Sequence, residues 1–174
     1  MIKITDDDII QSAISHFRQS GFPYEHFEEY EILQIFRDLQ NSESKLVKAH
    51  QGLLTNFVKV IGMSGVKGEQ FLANYFHPHI WESHAAGARS PVESYKRDDS
   101  LLRCMTLSLK YEKVITEKTV RNYLRKVNGT QMCSNFRPSA AKAVYDYFGA
   151  DDVLDMSTGY GGRLLGFLAS KSEG

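Results

Sequence analysis

The sequence is poor in the features that mark secreted, zinc-binding and membrane-spanning proteins. Its two cysteines, Cys104 and Cys133, are too few for a disulfide framework or for a zinc site of their own, and free thiols are the ordinary state in a reducing compartment. No window approaches the roughly 18 uninterrupted apolar residues that a membrane span needs. The acidic start MIKITDDDII also differs from a signal peptide, which places a positive region before an apolar run. We therefore expect a cytoplasmic protein without a membrane partner.

The chain also lacks net charge. Lys and Arg together number 21, as do Asp and Glu, so the total charge gives no argument for nucleic-acid binding. The distribution is uneven, because residues 1–44 hold nine acidic and three basic residues whereas residues 103–128 hold seven basic and two acidic ones. This pattern predicts an acidic N-terminal segment and a basic patch late in the chain. The alternative interpretation is two ordinary solvated helix faces.

Helical periodicity is present over most of the chain. Apolar residues recur at spacings of three and four, and capping and stop residues flank the runs. We predict helices over these stretches: Thr5 to Gly21, Glu25 to Gln40, Glu69 to Phe76, Leu101 to Leu109, Thr116 to Asn128 and Pro138 to Gly149. A further apolar-periodic run covers Leu46 to Ile61. Residues 77–100 have no clear period and predict a loop-rich connection with a short helix at most.

The last part of the chain has a different organisation. The segment DVLDMSTGYGGRLLGFLAS, Asp152 to Ser170, has the pattern of a short buried strand, a glycine loop and the start of a helix. Backbone N–H groups at such a helix start favour polar or anionic ligands, and glycines let the backbone come close to them. The loop lacks the third glycine of the dinucleotide fingerprint and the lysine of a P-loop. A tight strand–helix connection without a ligand is therefore the alternative.

The stretch SNFRPSAAKAVYDYFGADDVLDMSTGYGGRLLGF, Ser134 to Phe167, resembles the start of the catalytic domain in S-adenosylmethionine-dependent DNA methyltransferases of the adenine-N6 type. The resemblance is closest to a phage and bacterial group that reads N-F-R-P, then an apolar helix, then V-L-D-x-S/F-x-G-x-G-G-R. It covers about 40 of the 174 residues. Met156 departs from the group, in which proline is common at this place.

The resemblance implies a fold class, a cofactor and a set of site residues. It implies an incomplete Rossmann-like methyltransferase βα unit over residues 129–174. Together with the helical region that periodicity predicts over residues 1–128, this gives a mainly α protein. The implied cofactor is S-adenosylmethionine, with affinity that is weak or lost. The residues carried over to cofactor binding are the loop residues Asp155, Ser157, Gly159, Gly161 and Gly162 and the upstream residues Phe136, Arg137 and Pro138.

One catalytic element of these methyltransferases is missing. They use a (D/N)-P-P-(Y/F) element to orient the target amine and stack the flipped base. The four prolines of this sequence, Pro23, Pro78, Pro91 and Pro138, are never adjacent, so no catalytic residue is assigned. We expect the N-terminal part of a DNA-methyltransferase-like protein that is inactive alone. The alternative is a non-enzymatic phage-type inhibitor or regulator, an anti-defence protein that binds protein or nucleic acid.

Partners follow from the same two hypotheses. We expect DNA or a nucleic-acid-binding protein as partner, with a second copy of the chain or a further C-terminal domain completing the sheet. The basic helix TEKTVRNYLRK has a faint helix-turn-helix spacing to the helix before it and offers phosphate contacts from Lys118, Arg121, Arg125 and Lys126. Its alternative is a solvated helix face. Three histidines in FHPHIWESH raise a zinc site as a weaker hypothesis, but their spacing fits no common zinc module.

Overall fold

Eight α-helices account for most of the part of the chain that the structure describes. The structure, a computed structural model, describes residues 5–43, 49–51, 58–60 and 65–170. The helices are α1 (Asp6–Ser20), α2 (Glu29–Gln40), α3 (Glu69–Phe76), α4 (Pro91–Tyr95), α5 (Asp98–Glu112), α6 (Glu117–Leu124), α7 (Pro138–Phe148) and α8 (Gly162–Ser170). A 3₁₀ helix, Pro78–Glu82, precedes α4, and two short strands, β1 (Ala49–Gln51) and β2 (Val58–Val60), lie between α2 and α3. The expected mainly helical character is confirmed.

Local signals set the helix ends. Thr5 caps α1, because its Oγ1 accepts a hydrogen bond from the Asp8 amide while the Asp8 carboxylate accepts one from the Thr5 amide at 2.8 Å. Ser90 and Glu93 form the same reciprocal cap on α4. Gly149 ends α7 with φ +57°, in the left-handed region that favours glycine. These caps explain why the predicted starts and stops of most helices lie within a few residues of the observed ones.

The chain folds into two compact units, each made from two separate stretches. The first unit comprises Met1–Glu25 and Pro78–Ser134, and the second comprises His26–His77 and Asn135–Gly174. The sequence interpretation instead divides the chain once, between residues 128 and 129. The second unit thus unites α2 and α3 with the segment that carries the methyltransferase resemblance, a grouping without any signal in local sequence.

In the first unit, α1, α4, α5 and α6 share one hydrophobic core. Its fully buried members include Leu101, Cys104 and Met105 on α5 and Val120 and Leu124 on α6. The side chains lie at spacings of three and four on their helices, so each helix presents one apolar stripe to the others. The Tyr95 hydroxyl, in the same core, donates to the backbone oxygens of Phe17 and Gly21 and so fixes the end of α1.

In the second unit, α2, α3, α7 and α8 pack together. Ile32 and Leu39 of α2, Leu72 of α3 and Ala169 of α8 form its buried core. The closest helix pair is α7 with α8, where Gly166 lies against Ala141. A glycine in the middle of α8 therefore serves close packing, in spite of its low helix propensity.

Two sequence expectations fail in this unit. The segment over residues 152–156, predicted as a short buried strand, forms no strand among the described residues, so the Rossmann-like βα unit is not shown. Its apolar residues Leu154 and Met156 are 86% and 87% exposed. The strand prediction rested on apolar character alone, and burial needs a partner strand or covering layer that the described residues do not provide.

The periodic run Leu46–Ile61 also differs from a helix where it is described. Ala49–Gln51 and Val58–Val60 pair as antiparallel strands, with Ala49 opposite Val60 and Gln51 opposite Val58. The rest of the run lies outside the described residues. Among the helices of the described ranges, none combines the length and the apolar character that crossing a bilayer requires.

Candidate functional site

The glycine loop lies between residues 153–155, which have no regular secondary structure, and α8, which begins at Gly162. Gly159 has φ +60° and Gly161 φ +81°, in the left-handed region where a side chain strains the backbone. A Cβ built at either position would meet no atom within 4 Å. The backbone at both glycines therefore borders open space. The amide groups of the first turn of α8 follow directly in the sequence.

Asp155 binds inside the loop. Its carboxylate accepts hydrogen bonds from Arg163 Nε at 2.7 Å and Nη2 at 3.0 Å, and from the Ser157 amide at 3.0 Å. These contacts, the Arg163 guanidinium first, lower the pKa of the Asp155 carboxyl below its ordinary value of 3.8. The same pair raises the pKa of Arg163. Asp155, which the resemblance assigns to cofactor binding, also braces the loop, through a bidentate ion pair with Arg163.

The two halves of the sequence resemblance meet at Gly162. A Cβ at this buried glycine would lie inside van der Waals distance of the Phe136 carbonyl oxygen and 2.7 Å from Asn135 Oδ1. The Arg163 guanidinium lies over the Phe136 ring, 5.7 Å from its centroid. The N-F-R-P element and the glycine loop are therefore in direct contact.

The remaining upstream residues define the start of α7. Pro138 is fully buried at the first helical position, where a missing N–H costs nothing. Arg137 is exposed and forms no side-chain cap. The cap comes from α3 instead, because Glu69, 5% exposed, accepts a hydrogen bond from the Ser139 amide at 2.8 Å. A buried carboxylate at this end is favoured by the helix dipole.

The histidines of FHPHIWESH belong to no metal-binding group of side chains among the described residues. His77 belongs to the second unit, where its ring packs edge-on against Tyr160 of the glycine loop at 5.6 Å between centroids. His79 and His84 belong to the first unit. In the described ranges no group of three His, Cys, Asp or Glu side chains is placed to hold a metal ion.

The basic residues predicted on α6 have different environments. Lys118, Arg125 and Lys126 are exposed. Arg121 instead lies against the N-terminal segment of the same unit, with Nε 3.6 Å from a Glu25 carboxylate oxygen and Nη1 donating to the Pro23 oxygen at 2.9 Å. Its side chain is 13% exposed, so it stabilises the packing of that segment.

Sequence reasoning missed three residues at the site: Arg163, Glu69 and Asn135. Arg163 lies in the first turn of the predicted helix, eight residues after Asp155. A cation at this position could have been predicted to pair with the loop aspartate. Glu69 is 70 residues from its partner Ser139 and has no local signal. The Nδ2 group of Asn135 is buried without a hydrogen-bond partner among the described atoms.

Comparisons of the chain with protein-family models, with curated proteins and with solved structures find no match.

Proposed function

We propose that the chain corresponds to the N-terminal portion of a DNA-methyltransferase-like protein of the adenine-N6 type, and that its glycine loop binds S-adenosylmethionine. Within its 174 residues the chain carries the cofactor loop without a (D/N)-P-P-(Y/F) element, so it has no methyl-transfer activity by itself.

The observation that carries this proposal is the close approach of Gly162 to the Phe136 carbonyl group and to the Asn135 side chain. These residues are more than 20 positions apart, and the sequence resemblance rests on both of them. The Phe136 carbonyl oxygen leaves no room for a side chain at residue 162. The Arg163 guanidinium adds a second contact, to the Phe136 ring. A loop that only connected two elements would not need this second close approach.

The residues present also fit a ligand of this kind. The backbone of Gly159 and Gly161 faces open space, which side chains at these positions would fill. The first-turn N–H groups of a helix such as α8 have no acceptor within the helix, and they suit a ligand carboxylate. Asp155 is held by Arg163, so we assign it the role of keeping the loop in shape. When bound, S-adenosylmethionine would supply an activated methyl group to a target amine.

Isothermal calorimetry with S-adenosylmethionine, and separately with S-adenosylhomocysteine, tests the proposal. The wild-type chain should bind at least one of them with a dissociation constant below about 1 mM. Gly161→Asp should weaken binding at least about tenfold, because its carboxylate repels a ligand carboxylate and its side chain occupies the ligand space.

Gly149→Asp is the matched control. Gly149 also has positive φ and open space around its Cβ position, but it ends α7 outside the loop. This variant carries the same kind of backbone strain and the same added charge, so it should bind like the wild type. Equal weakening in both variants, or no binding by the wild-type chain, contradicts the proposal.

The alternative is a non-enzymatic inhibitor or regulator of phage type derived from such a methyltransferase. The missing catalytic element favours it, as do exposed acids near the N-terminus, Asp6 and Asp7, which suit a basic nucleic-acid-binding partner. A chain that binds a defence nuclease and ignores both cofactor forms in calorimetry would support this alternative.

A further inference from the structure

The hairpin formed by α5 and α6 has a strong excess of exposed cations. Six basic side chains are exposed and form no ion pair among the described residues: Arg103, Lys110, Lys113, Lys118, Arg125 and Lys126. All four acids of the hairpin are engaged. Asp98 pairs with Arg18 and Asp99 with Arg97, Glu117 lies 3.7 Å from Arg121, and Glu112 accepts a hydrogen bond from the Tyr123 hydroxyl. The charge on this surface is therefore uncompensated within the first unit.

An aromatic platform lies within these cations. The rings of Tyr111 and Tyr123 are nearly parallel, at 13°, with centroids 6.4 Å apart. Tyr123 is buried and tied to Glu112, whereas Tyr111 is 61% exposed. Lys110 Nζ lies 5.2 Å from the Tyr111 centroid, and Lys126 Nζ lies 4.7 Å from the Tyr123 centroid. An exposed ring is thus held next to a buried one, with an ammonium group beside each.

We infer that this surface binds single-stranded nucleic acid, with an unpaired base stacked on Tyr111 and backbone phosphates on Lys110 and Lys126, whose ammonium groups lie beside the two rings. Aromatic rings interleaved with cations are the usual composition of such surfaces. A ring that is already fixed by Tyr123 loses little conformational freedom when a base stacks on it. The inference is independent of the cofactor loop, which belongs to the other unit.

The exposed ring is what selects a single strand over a duplex. Bases within a duplex are stacked on one another, so they have no free face to offer to Tyr111. Cations alone would bind either form through phosphate. An acidic protein would meet the same cations but has no need of a stacking platform.

Fluorescence anisotropy with a labelled oligothymidylate of about 20 nucleotides tests the inference, because such a strand has no duplex structure and spans a typical binding site. A duplex of the same length and polyglutamate are the competing ligands. The single strand should bind tighter than both, and the logarithm of its affinity should fall linearly with the logarithm of salt concentration. Lys126→Ala should reduce that slope by roughly 0.7.

Tyr111→Ala should weaken single-strand binding at least about fivefold, whereas Tyr111→Phe should retain it, because stacking needs the ring and not the hydroxyl. Tyr147→Ala is the matched control, since Tyr147 is 67% exposed on α7 in the second unit. Circular dichroism verifies that each variant is folded. Equal binding of the duplex, preference for polyglutamate, or unchanged binding by Tyr111→Ala would overturn the inference. Calorimetry with the cofactor reports on the other unit, so either proposal can fail alone.

Discussion

Gly166 of α8 lies so close to Ala141 of α7 that a Cβ at the glycine would be 2.5 Å from the Ala141 Cβ. It would also be 2.5 Å from the Pro138 carbonyl oxygen and 2.8 Å from the Lys142 amide nitrogen. Two of these three neighbours are backbone atoms, which cannot turn away. The separation of the two helices is therefore set by the absence of a side chain at residue 166.

Gly166→Ala should destabilise the protein by about 1–3 kcal/mol, since the added methyl overpacks the contact between α7 and α8. Helix propensity alone predicts the opposite sign, a gain of roughly 0.5–1 kcal/mol. Thermal and urea unfolding followed by circular dichroism decide between them. Leu168→Ala, at a half-exposed position of the same helix, is the control and should have a smaller effect. A more stable Gly166→Ala variant would show that the two helices separate easily.

Protonation of Asp155 at low pH should lower the stability of the folded protein. Because ion pairing with Arg163 lowers the folded-state pKa of Asp155 below 3.8, the ionised carboxylate contributes stability above that pH. This contribution is lost as the pH falls below 3.8 and through the folded-state pKa. Asp155→Asn should therefore be less stable than the wild type near neutral pH, and the difference should shrink in acid.

Urea unfolding at a series of pH values from neutral to strongly acidic gives the comparison. Asp152→Asn, an exposed neighbour, is the control and should run parallel to the wild type. If the difference between Asp155→Asn and the wild type were the same at every pH, the ion pair would contribute nothing to folding.

Lys113 ends α5 with φ +60°, the sole non-glycine residue with positive φ in the described ranges. Lys113→Gly should raise the free energy of unfolding by roughly 0.5–1 kcal/mol, because glycine reaches this region without strain. The fluorescence of the single tryptophan, Trp81, which is buried in the first unit, can follow the transition. Lys110→Gly, inside α5, should lower stability by about the same amount. If both glycines destabilised, the strain at Lys113 would be absent.

The two cysteines should differ in reactivity. Burial raises the pKa of the Cys104 thiol to about 12, and its Sγ donates to the Val120 carbonyl oxygen at 3.3 Å. A chromogenic disulfide reagent at about pH 8 should therefore label only the half-buried Cys133 in the folded protein, and both thiols in concentrated guanidinium chloride. Rapid labelling of both in the native state would mean that the core of the first unit opens readily.

Capping residues and apolar spacing predict the helices of this protein. They do not predict contacts between residues that are far apart in the sequence. The cap of α1 by Thr5 and the stop of α7 at Gly149 are written in neighbouring residues, so the sequence is sufficient for them. The cap of α7 by Glu69 and the pairing of Arg121 with Glu25 join residues far apart in the chain. Neither pairing has a periodic or spacing signal, and the grouping of α2 and α3 with α7 and α8 follows from such contacts.

At the candidate site, the sequence predicts the glycine geometry better than the role of the acid. Positive φ at Gly159 and Gly161 follows from the need of a tight turn, and the structure has it. The sequence leaves open whether Asp155 meets a ligand or braces the loop, and it does not indicate that Arg163, eight residues on, holds its carboxylate. A sequence motif indicates which residue types line a site. It does not indicate which cation the fold places next to a carboxylate.

The tie between Asp155 and Arg163 also bears on how the protein behaves in concentrated solution. Leu154 and Met156, on either side of this aspartate, are almost fully exposed, and an exposed apolar segment without a strand partner is prone to pair with the same segment of another copy. A free carboxylate between them would act as a gatekeeper against such pairing, but here its charge is neutralised internally. Charge repulsion along this stretch therefore depends on the two exposed acids just before it, Asp151 and Asp152, and removing both charges together should favour aggregation.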